Sequence, residues 1–281
     1  MINYLDYNQY AGSLKSLAAL AKNNLDTEGY IVIQNFDEDC VSMQEKKQKF
    51  LTFSELIGLP ISHDIKGTII WNIKNNEASK SFIKTFSEHN HEADLHTDSQ
   101  YSSYPEDYFG LLTLKRAACG GGISYLLSLE NILKELKSTP EGIAAMDILM
   151  QDQFPFVVPN VFKKHSSKKV EYVLGTVLTN TEIRYRTDTI QKALDYHPSI
   201  CTPQQVAAFH YLRNLVRNSA YTHKYFLENG DLFLINNQTT LHGRGSFEDN
   251  ERHLLRIRMN KTSVGASTSK LQSISKSASI N

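Results

Sequence analysis

The sequence is poor in the features that mark secreted, membrane-spanning and nucleic-acid-binding proteins. Its three cysteines are odd in number and far apart, which argues against a disulfide framework and a cysteine-ligated metal site. No run approaches the roughly 18 apolar residues of a membrane-spanning helix, and the first residues do not resemble a secretory leader. The 30 Lys and Arg residues balance the 30 Asp and Glu residues, so no overall positive charge favours nucleic acid or an anionic membrane. We therefore expect a cytoplasmic protein that has neither nucleic acid nor a membrane as its partner.

The spacing of apolar residues predicts a mostly β protein with flanking helices. Leu14, Leu17 and Ala21 recur at helical spacing before a buried strand that begins at Tyr30. Further helices are predicted at 41–57, 129–136 and 141–150 and from Thr202 onward, and further strands at 68–73, 108–114, 172–178, 182–186, 231–236 and 252–259. Short strands joined by turns and preceded by helices favour an antiparallel β-sandwich or jelly roll decorated by helices.

Length and composition predict one large domain. With 281 residues, of which 41% are hydrophobic, the chain can bury a full core, and we expect a single domain over residues 1–261. The remaining segment, 262–281, is rich in Ser, Thr and Lys and lacks aromatic residues, which is typical of a disordered tail.

Three residues have the pattern of a metal site. His96 and Asp98 are two residues apart, so in an extended segment their side chains point to the same face. His242 follows a buried apolar strand far downstream. Two histidines and one carboxylate on one face of a metal, with the opposite positions open, are the ligands of non-haem Fe(II) oxygenases. Taken singly, a core histidine or a turn-capping aspartate is the ordinary explanation, but the three in this order predict metal ligands.

A row of arginines follows His242. Strand alternation places Arg252, Arg256 and Arg258 on one face and Leu255 and Ile257 on the other. If the arginines line the solvated face of an edge strand, they are ordinary surface residues. If they point inward, their burial is costly unless an anion pairs with them, and they predict an anion-binding pocket.

Together these residues resemble the Fe(II)/2-oxoglutarate-dependent dioxygenases of the taurine dioxygenase and clavaminate synthase-like superfamily. The likeness covers about residues 95–259. It comprises an early His-x-Asp, a late histidine, an Arg-x-x-x-Arg pair at Arg252 and Arg256, and the family's Gly-Gly-x-Thr turn, which here reads Gly121-Gly122-Ile123-Ser124 with Ser replacing Thr. The interval between His242 and Arg252 is short, which keeps Arg256 as an alternative to Arg252.

The resemblance implies a double-stranded β-helix with the metal inside its open end. His96, Asp98 and His242 would bind Fe(II), Ser124 and Arg252 would hold the distal carboxylate of the cosubstrate 2-oxoglutarate, and O₂ would be consumed. The implied reaction oxidises an unactivated C–H bond of a small acid, such as an amino acid or its derivative, and releases succinate and CO₂. Hydroxylation is the expected outcome, while desaturation and ring formation use the same oxidant.

The resemblance also suggests residues that recognise the substrate. The second arginine of the pair often meets the substrate's acidic group in this family, so Arg256 is predicted to bind that carboxylate. Gln100, on the face of Asp98, is a candidate hydrogen-bond partner, and Asp188 is a candidate for a substrate ammonium.

Two functions of other classes remain compatible with the sequence. A non-catalytic jelly-roll protein that binds small anions would keep the arginines, but it would have no use for an intact set of metal ligands. A zinc-dependent hydrolase would use the same three ligands, but the arginine pair and Ser124 would then have no evident role.

Overall fold

The computed structural model describes residues 3–10, 13–64, 66–74, 90–159 and 170–262, and the predicted tail lies outside these ranges from residue 263 onward. The strands in chain order are β1 (Tyr4–Asp6), β2 (Tyr30–Gln34), β3 (Leu59–Ile61), β4 (Trp71–Lys74), β5 (Ala93–His96), β6 (Tyr108–Lys115), β7 (Ser124–Ser128), β8 (Phe154–Val157), β9 (Tyr172–Gly175), β10 (His223–Tyr225), β11 (Leu232–Asn236), β12 (Thr240–Arg244) and β13 (His253–Asn260). The helices are α1 (Leu14–Thr27), α2 (Met43–Ile57), α3 (Leu129–Leu136), α4 (Pro140–Gln151), α5 (Thr187–Tyr196) and α6 (Pro203–Asn218). Within the described part of the chain, no helix is long and apolar enough to cross a bilayer.

Two sheets form the centre of the molecule. The larger has the strand order β1-β2-β11-β6-β13-β3, with β4 also paired to β13, and the smaller has the order β10-β7-β12-β5. The sheets pack face to face, because Leu126 of the smaller sheet shares a buried cluster with Phe109, Phe233 and Leu254 of the larger one. This arrangement confirms the predicted double-stranded β-helix, a jelly roll decorated by helices.

Helices cover the outer faces of both sheets, which explains why central strands are apolar on both sides. In β11, Phe233 and Ile235 point between the sheets, whereas Leu232 and Leu234 pack beneath α1 and α2. On the other side of the molecule, α3, α4, α5 and α6 form a second core with Leu127 and Leu241, the outward residues of the smaller sheet. A strand buried on both faces reads as a continuous apolar run, as β11 does.

Most predicted elements are present, and two details of the sequence interpretation are wrong. His242 follows the buried strand β11, as predicted, and lies within the next strand, β12. Residues 182–186 form no strand; Ile183 makes only an isolated bridge to Leu178. Helix α5 was not predicted, because its N-cap residue is Arg186, which forms no side-chain capping hydrogen bond. The sequence therefore lacks the capping residue that usually marks the start of a helix. Helix α6 begins as predicted, with a reciprocal capping box between Thr202 and Gln205.

Candidate active site

The two histidines face each other across the antiparallel pair of β5 and β12. His96 pairs with His242, and the register then shifts so that Ala93 pairs with Arg244. Two residues of β5 therefore oppose Gly243 alone, which is a β-bulge. A Cβ on Gly243 would lie 2.8 Å from the carbonyl oxygen of Ala93, so only glycine fits here without displacement. The bulge leaves the two imidazoles on the inner face with ring centroids 4.3 Å apart.

Asp98 is held beside the histidines by a clamp from the turn between β11 and β12. Asn237 accepts a hydrogen bond from the Asp98 amide at 2.8 Å and donates one to the Asp98 carbonyl at 3.2 Å. The carboxylate of Asp98 lies 3.7 Å from His96 Nε2 and 3.4 Å from His242 Nε2. Ligand atoms of the three residues lie within 4.8 Å of one another, as a shared metal ion requires.

The protonation states suit a divalent metal. His96 donates from Nδ1 to the carbonyl oxygen of Asp94 at 2.7 Å, which leaves the lone pair of Nε2 for a ligand. Burial, together with the nearby His242, lowers the pKa of His96 to about 3, so this ring is neutral. Burial by itself would raise the pKa of Asp98, but the positive charge of the adjacent Arg256 holds that pKa well below its usual value. Imidazole nitrogens and a carboxylate are the donor set of Fe(II) oxygenases, so the residues fit the implied metal.

A cavity of about 100 Å³ between the sheets adjoins these three residues. Its apolar wall is formed by Ile73, Ala93, Phe109, Leu111, Phe233, Ile235 and Leu254, and its other polar residues are Ser124, Arg244, Arg252 and Arg256. The Phe109 ring packs against His242, with ring centroids 4.6 Å apart. This wall limits water at the metal position, which strengthens electrostatic interactions there.

Arg252 is a buried cation at the cavity wall. Its exposed fraction is 7%, and among the described residues no carboxylate lies within ion-pair distance of its guanidinium. Burial and the neighbouring Arg244 lower its pKa to about 9. Both guanidiniums lie against the ring of Phe247, at 5.0 Å for Arg252 and 4.7 Å for Arg244. A buried guanidinium in this state is costly without an anion, so this end of the cavity, which also contains Ser124, fits a carboxylate ligand.

Arg256 differs from Arg252 because its charge is already balanced. Its Nη2 pairs with Asp98 Oδ2 and lies 3.2 Å from Glu106 Oε1. Two carboxylates already neutralise this guanidinium, so the ion pairs give no support to binding of a substrate carboxylate by Arg256, which stays a prediction. The alternative that the arginines line the solvated face of an edge strand is excluded. Strand β13 is not an edge strand, because it pairs with β6 on one side and with β3 and β4 on the other.

Comparison with known proteins agrees with this geometry. The family model described as taurine catabolism dioxygenase TauD, TfdA family, matches residues 4–258. The protein belongs to the TauD/TfdA family. This membership confirms the predicted relationship to the taurine dioxygenase superfamily.

This TauD/TfdA family member is also similar to proteins of known sequence or structure. Dioxygenase str8 of Strobilurus tenacellus is 26% identical over 193 residues, an alignment that spans 66% of this chain and 42% of that relative. Asparagine oxygenase in complex with Fe(II), 2S,3S-3-hydroxyasparagine and succinate superposes with a TM-score of 0.68 at 16% identity, covering 89% of this chain and 79% of the other. The non-heme iron oxygenase OrfP in complex with Fe and alpha-ketoglutaric acid gives 0.66 at 16% identity, covering 89% and 80%. At this identity, the structural likeness shows the shared fold.

Two other predicted site residues of this TauD/TfdA protein lie outside the cavity. Gln100 is fully buried, and its nearest side-chain partner is the Thr189 hydroxyl at 3.5 Å. It does not share the face of Asp98 because Ser99, with a φ of 52°, breaks the strand alternation between them. Asp188 pairs with Arg186 at 2.7 Å in the first turn of α5. Neither residue lines the cavity, and both substrate-binding roles stay predictions.

Three residues with roles in the site were not anticipated. Arg244 lines the cavity two residues beyond His242, and that spacing on a strand was a usable signal. Asn237 and Glu106 had no such signal, because each acts from a loop through contacts distant in sequence.

Proposed function

We propose that this protein is an Fe(II)- and 2-oxoglutarate-dependent oxygenase that hydroxylates a C–H bond of a small amino acid or amino-acid derivative. The observation that carries the proposal is the presence of two different sites in one cavity. The triad of His96, Asp98 and His242 suits a metal, and the buried Arg252 suits the carboxylate of a cosubstrate. A zinc hydrolase would account for the triad alone, and an anion-binding protein for the arginine alone.

Each group of residues has a separate role in this proposal. His96, Asp98 and His242 bind iron, which supplies the chemistry that uses O₂ and 2-oxoglutarate to oxidise a C–H bond, with release of succinate and CO₂. Arg252 and Ser124 hold the distal carboxylate of 2-oxoglutarate and so orient the cosubstrate. The apolar wall that includes Phe109 and Leu254 excludes water from the reacting groups.

The proposal of an amino-acid substrate is supported by the size of the cavity and by proteins of similar fold. The cavity of about 100 Å³ is small, which favours a small substrate. Solved structures of similar fold contain 3-hydroxyasparagine in one enzyme and (3R,4R)-dihydroxy-L-Arg in another. We propose that the substrate of this protein belongs to the same class, the amino acids and their derivatives. We do not assign it the side chain of asparagine or of arginine.

A product screen tests the function. Protein loaded with Fe(II) without oxygen is mixed with 2-oxoglutarate and single amino acids, then exposed to air, and succinate and mass gains of one oxygen are measured. We expect one amino acid or derivative to give both signals in equal amounts. Hydrolysis of an ester or amide by the zinc-loaded protein, without succinate from the iron-loaded protein, would contradict the proposal.

A further inference from the structure

Glu106 is a buried acid that is linked to the metal site by alternating charges. Its exposed fraction is 2%. Its Oε1 lies 3.2 Å from Arg256 Nη2 and 2.9 Å from Arg258 Nε. The same Nη2 of Arg256 pairs with Asp98 Oδ2, so the acid, the guanidinium and the metal-binding carboxylate form one chain.

The backbone holds Glu106 in place independently of the arginines. Its carbonyl oxygen accepts hydrogen bonds from Asn237 Nδ2 at 3.0 Å and from Gln238 Nε2 at 3.1 Å. Two residues later the chain enters β6, where Tyr108 pairs with Met259 of β13. Asn237 is also the residue that clamps Asp98, so Glu106 and Asp98 share one support.

The chain of charges decides how strongly Arg256 competes with a metal ion for Asp98. With both carboxylates present, the guanidinium divides its hydrogen bonds and its charge between them. Without the charge of Glu106, Asp98 would be the only acid described beside Arg256, and the ion pair between them would tighten in this buried setting. Asp98 would then be a poorer ligand.

We infer that Glu106 is a positioning residue for the metal ligand Asp98 and acts through Arg256. It anchors the guanidinium between two acids, so that Arg256 orients Asp98 without withdrawing it from the metal. The inference rests on the metal site of the proposed function and does not depend on the substrate.

Titration of the metal-free full chain with Co(II) alone tests this without any turnover. Co(II) stands in for Fe(II), and its visible absorption reports both affinity and ligand geometry. We expect Glu106→Gln to lower Co(II) affinity about 10-fold, a typical effect of losing a group that supports a metal ligand. The matched control is Asp107→Asn, which removes the negative charge of the neighbouring residue. The Asp107 carboxylate accepts a hydrogen bond from the backbone amide of Lys261 at 2.7 Å. The Co(II) affinity of this variant should be unchanged.

A double-mutant cycle shows whether the effect passes through Arg256. In an Arg256→Met background, Glu106→Gln should cause no further loss of Co(II) affinity. An undiminished loss there, or unchanged affinity in Glu106→Gln itself, would overturn the inference.

A second variant keeps the inference testable if Glu106→Gln does not fold. Arg258→Gln leaves Arg256 as the only arginine described beside Glu106, which strengthens the ion pair between Glu106 and Arg256. Co(II) affinity should be equal to or higher than that of the unsubstituted protein, and a 10-fold fall would contradict the inference. Failure of the unsubstituted protein to bind Co(II) would instead overturn the proposed function.

Discussion

At the scale of single residues, His96 and His242 are two of the three proposed iron ligands. His96→Ala and His242→Ala should each abolish tight Fe(II) or Co(II) binding and reduce succinate formation to background. His197→Ala, an exposed histidine at the end of α5, is the control and should behave as the unsubstituted protein. Retention of metal-dependent succinate formation by either active-site variant would remove that histidine from the ligand set.

Arg252 should determine the affinity for 2-oxoglutarate without affecting the metal. Loss of one partner of a buried charged pair costs on the order of 2–5 kcal/mol, so Arg252→Ala should raise the Kd for 2-oxoglutarate by at least about 30-fold. Arg252→Lys should recover only part of this, because an ammonium lacks the guanidinium's two parallel donors. Anaerobic titration of the Co(II)-loaded protein measures the effect, with the exposed Arg217→Ala as control. Equal affinity in Arg252→Ala would show that another residue holds the distal carboxylate.

At the scale of elements, the bulge in β5 should be sensitive to any side chain at position 243. Gly243→Ala forces a Cβ to within 2.8 Å of the Ala93 carbonyl oxygen, on the strand that carries His96. We expect a loss of about 1–3 kcal/mol in the free energy of unfolding, as for other overpacked sites, together with weaker Co(II) binding.

Gly58→Ala is the matched control, because its Cβ would lie 2.6 Å from the Asn260 carbonyl oxygen, between α2 and β13 and outside the cavity. It should lower stability and leave Co(II) affinity unchanged. If the two variants affect metal binding equally, the bulge does not position His96.

His63, which follows β3, should make stability depend on pH. Its Nε2 lies 3.2 Å from the Arg256 carbonyl oxygen, and burial, followed by the charges of Arg256 and Arg258, lowers its pKa from 6.5 to about 3. The unfolded chain therefore binds more protons below pH 6.5, and stability falls as the pH drops from 6.5 towards 3, by at most about 1.4 kcal/mol per pH unit from this group.

Denaturant unfolding of the metal-free protein at pH 5 and pH 7 measures this dependence. The loss of stability between these values should be smaller in His63→Asn than in the unsubstituted protein. An identical difference in both would show that His63 does not contribute.

The elements that were predictable are those whose signals are local. The start of helix α6 is marked in the sequence by the capping-box residues Thr202 and Gln205, and strand β11 is marked by an uninterrupted apolar run. The His-x-Asp spacing likewise placed two ligands on one face. The surroundings of the predicted substrate residues could not be predicted from the sequence. The backbone at Ser99 turns Gln100 away from the face of Asp98, and Arg256 pairs with Asp98 and Glu106, which are distant in sequence. Such pairings depend on tertiary structure.

At the scale of the whole molecule, the site joins the two sheets. His96 and His242 belong to the smaller sheet, and Arg256 to the larger, with Arg252 one residue before β13. A metal ion with 2-oxoglutarate should therefore stabilise the folded protein as a unit. At 100 times its Kd, a ligand contributes about 2.7 kcal/mol.

Thermal unfolding checks this coupling. The Tm should rise with Co(II) and rise again with 2-oxoglutarate, by about 2–4 °C for each kcal/mol. The second rise should be absent without the metal and in Arg252→Ala. A rise with 2-oxoglutarate alone, of the same size, would mean that the acid binds independently of the metal position.

The order of the strands along the chain also has a consequence for biosynthesis. During translation His96 leaves the ribosome 146 residues before His242, its partner across the β5–β12 pair. Strand β13, the last of the described strands to be synthesised, lies inside the larger sheet between β6 and the strands β3 and β4. Pairings between distant segments form slowly, because a long loop must close before its contacts compensate. We therefore expect nascent chains to remain unable to capture iron until synthesis has passed residue 260 and β13 has joined the larger sheet.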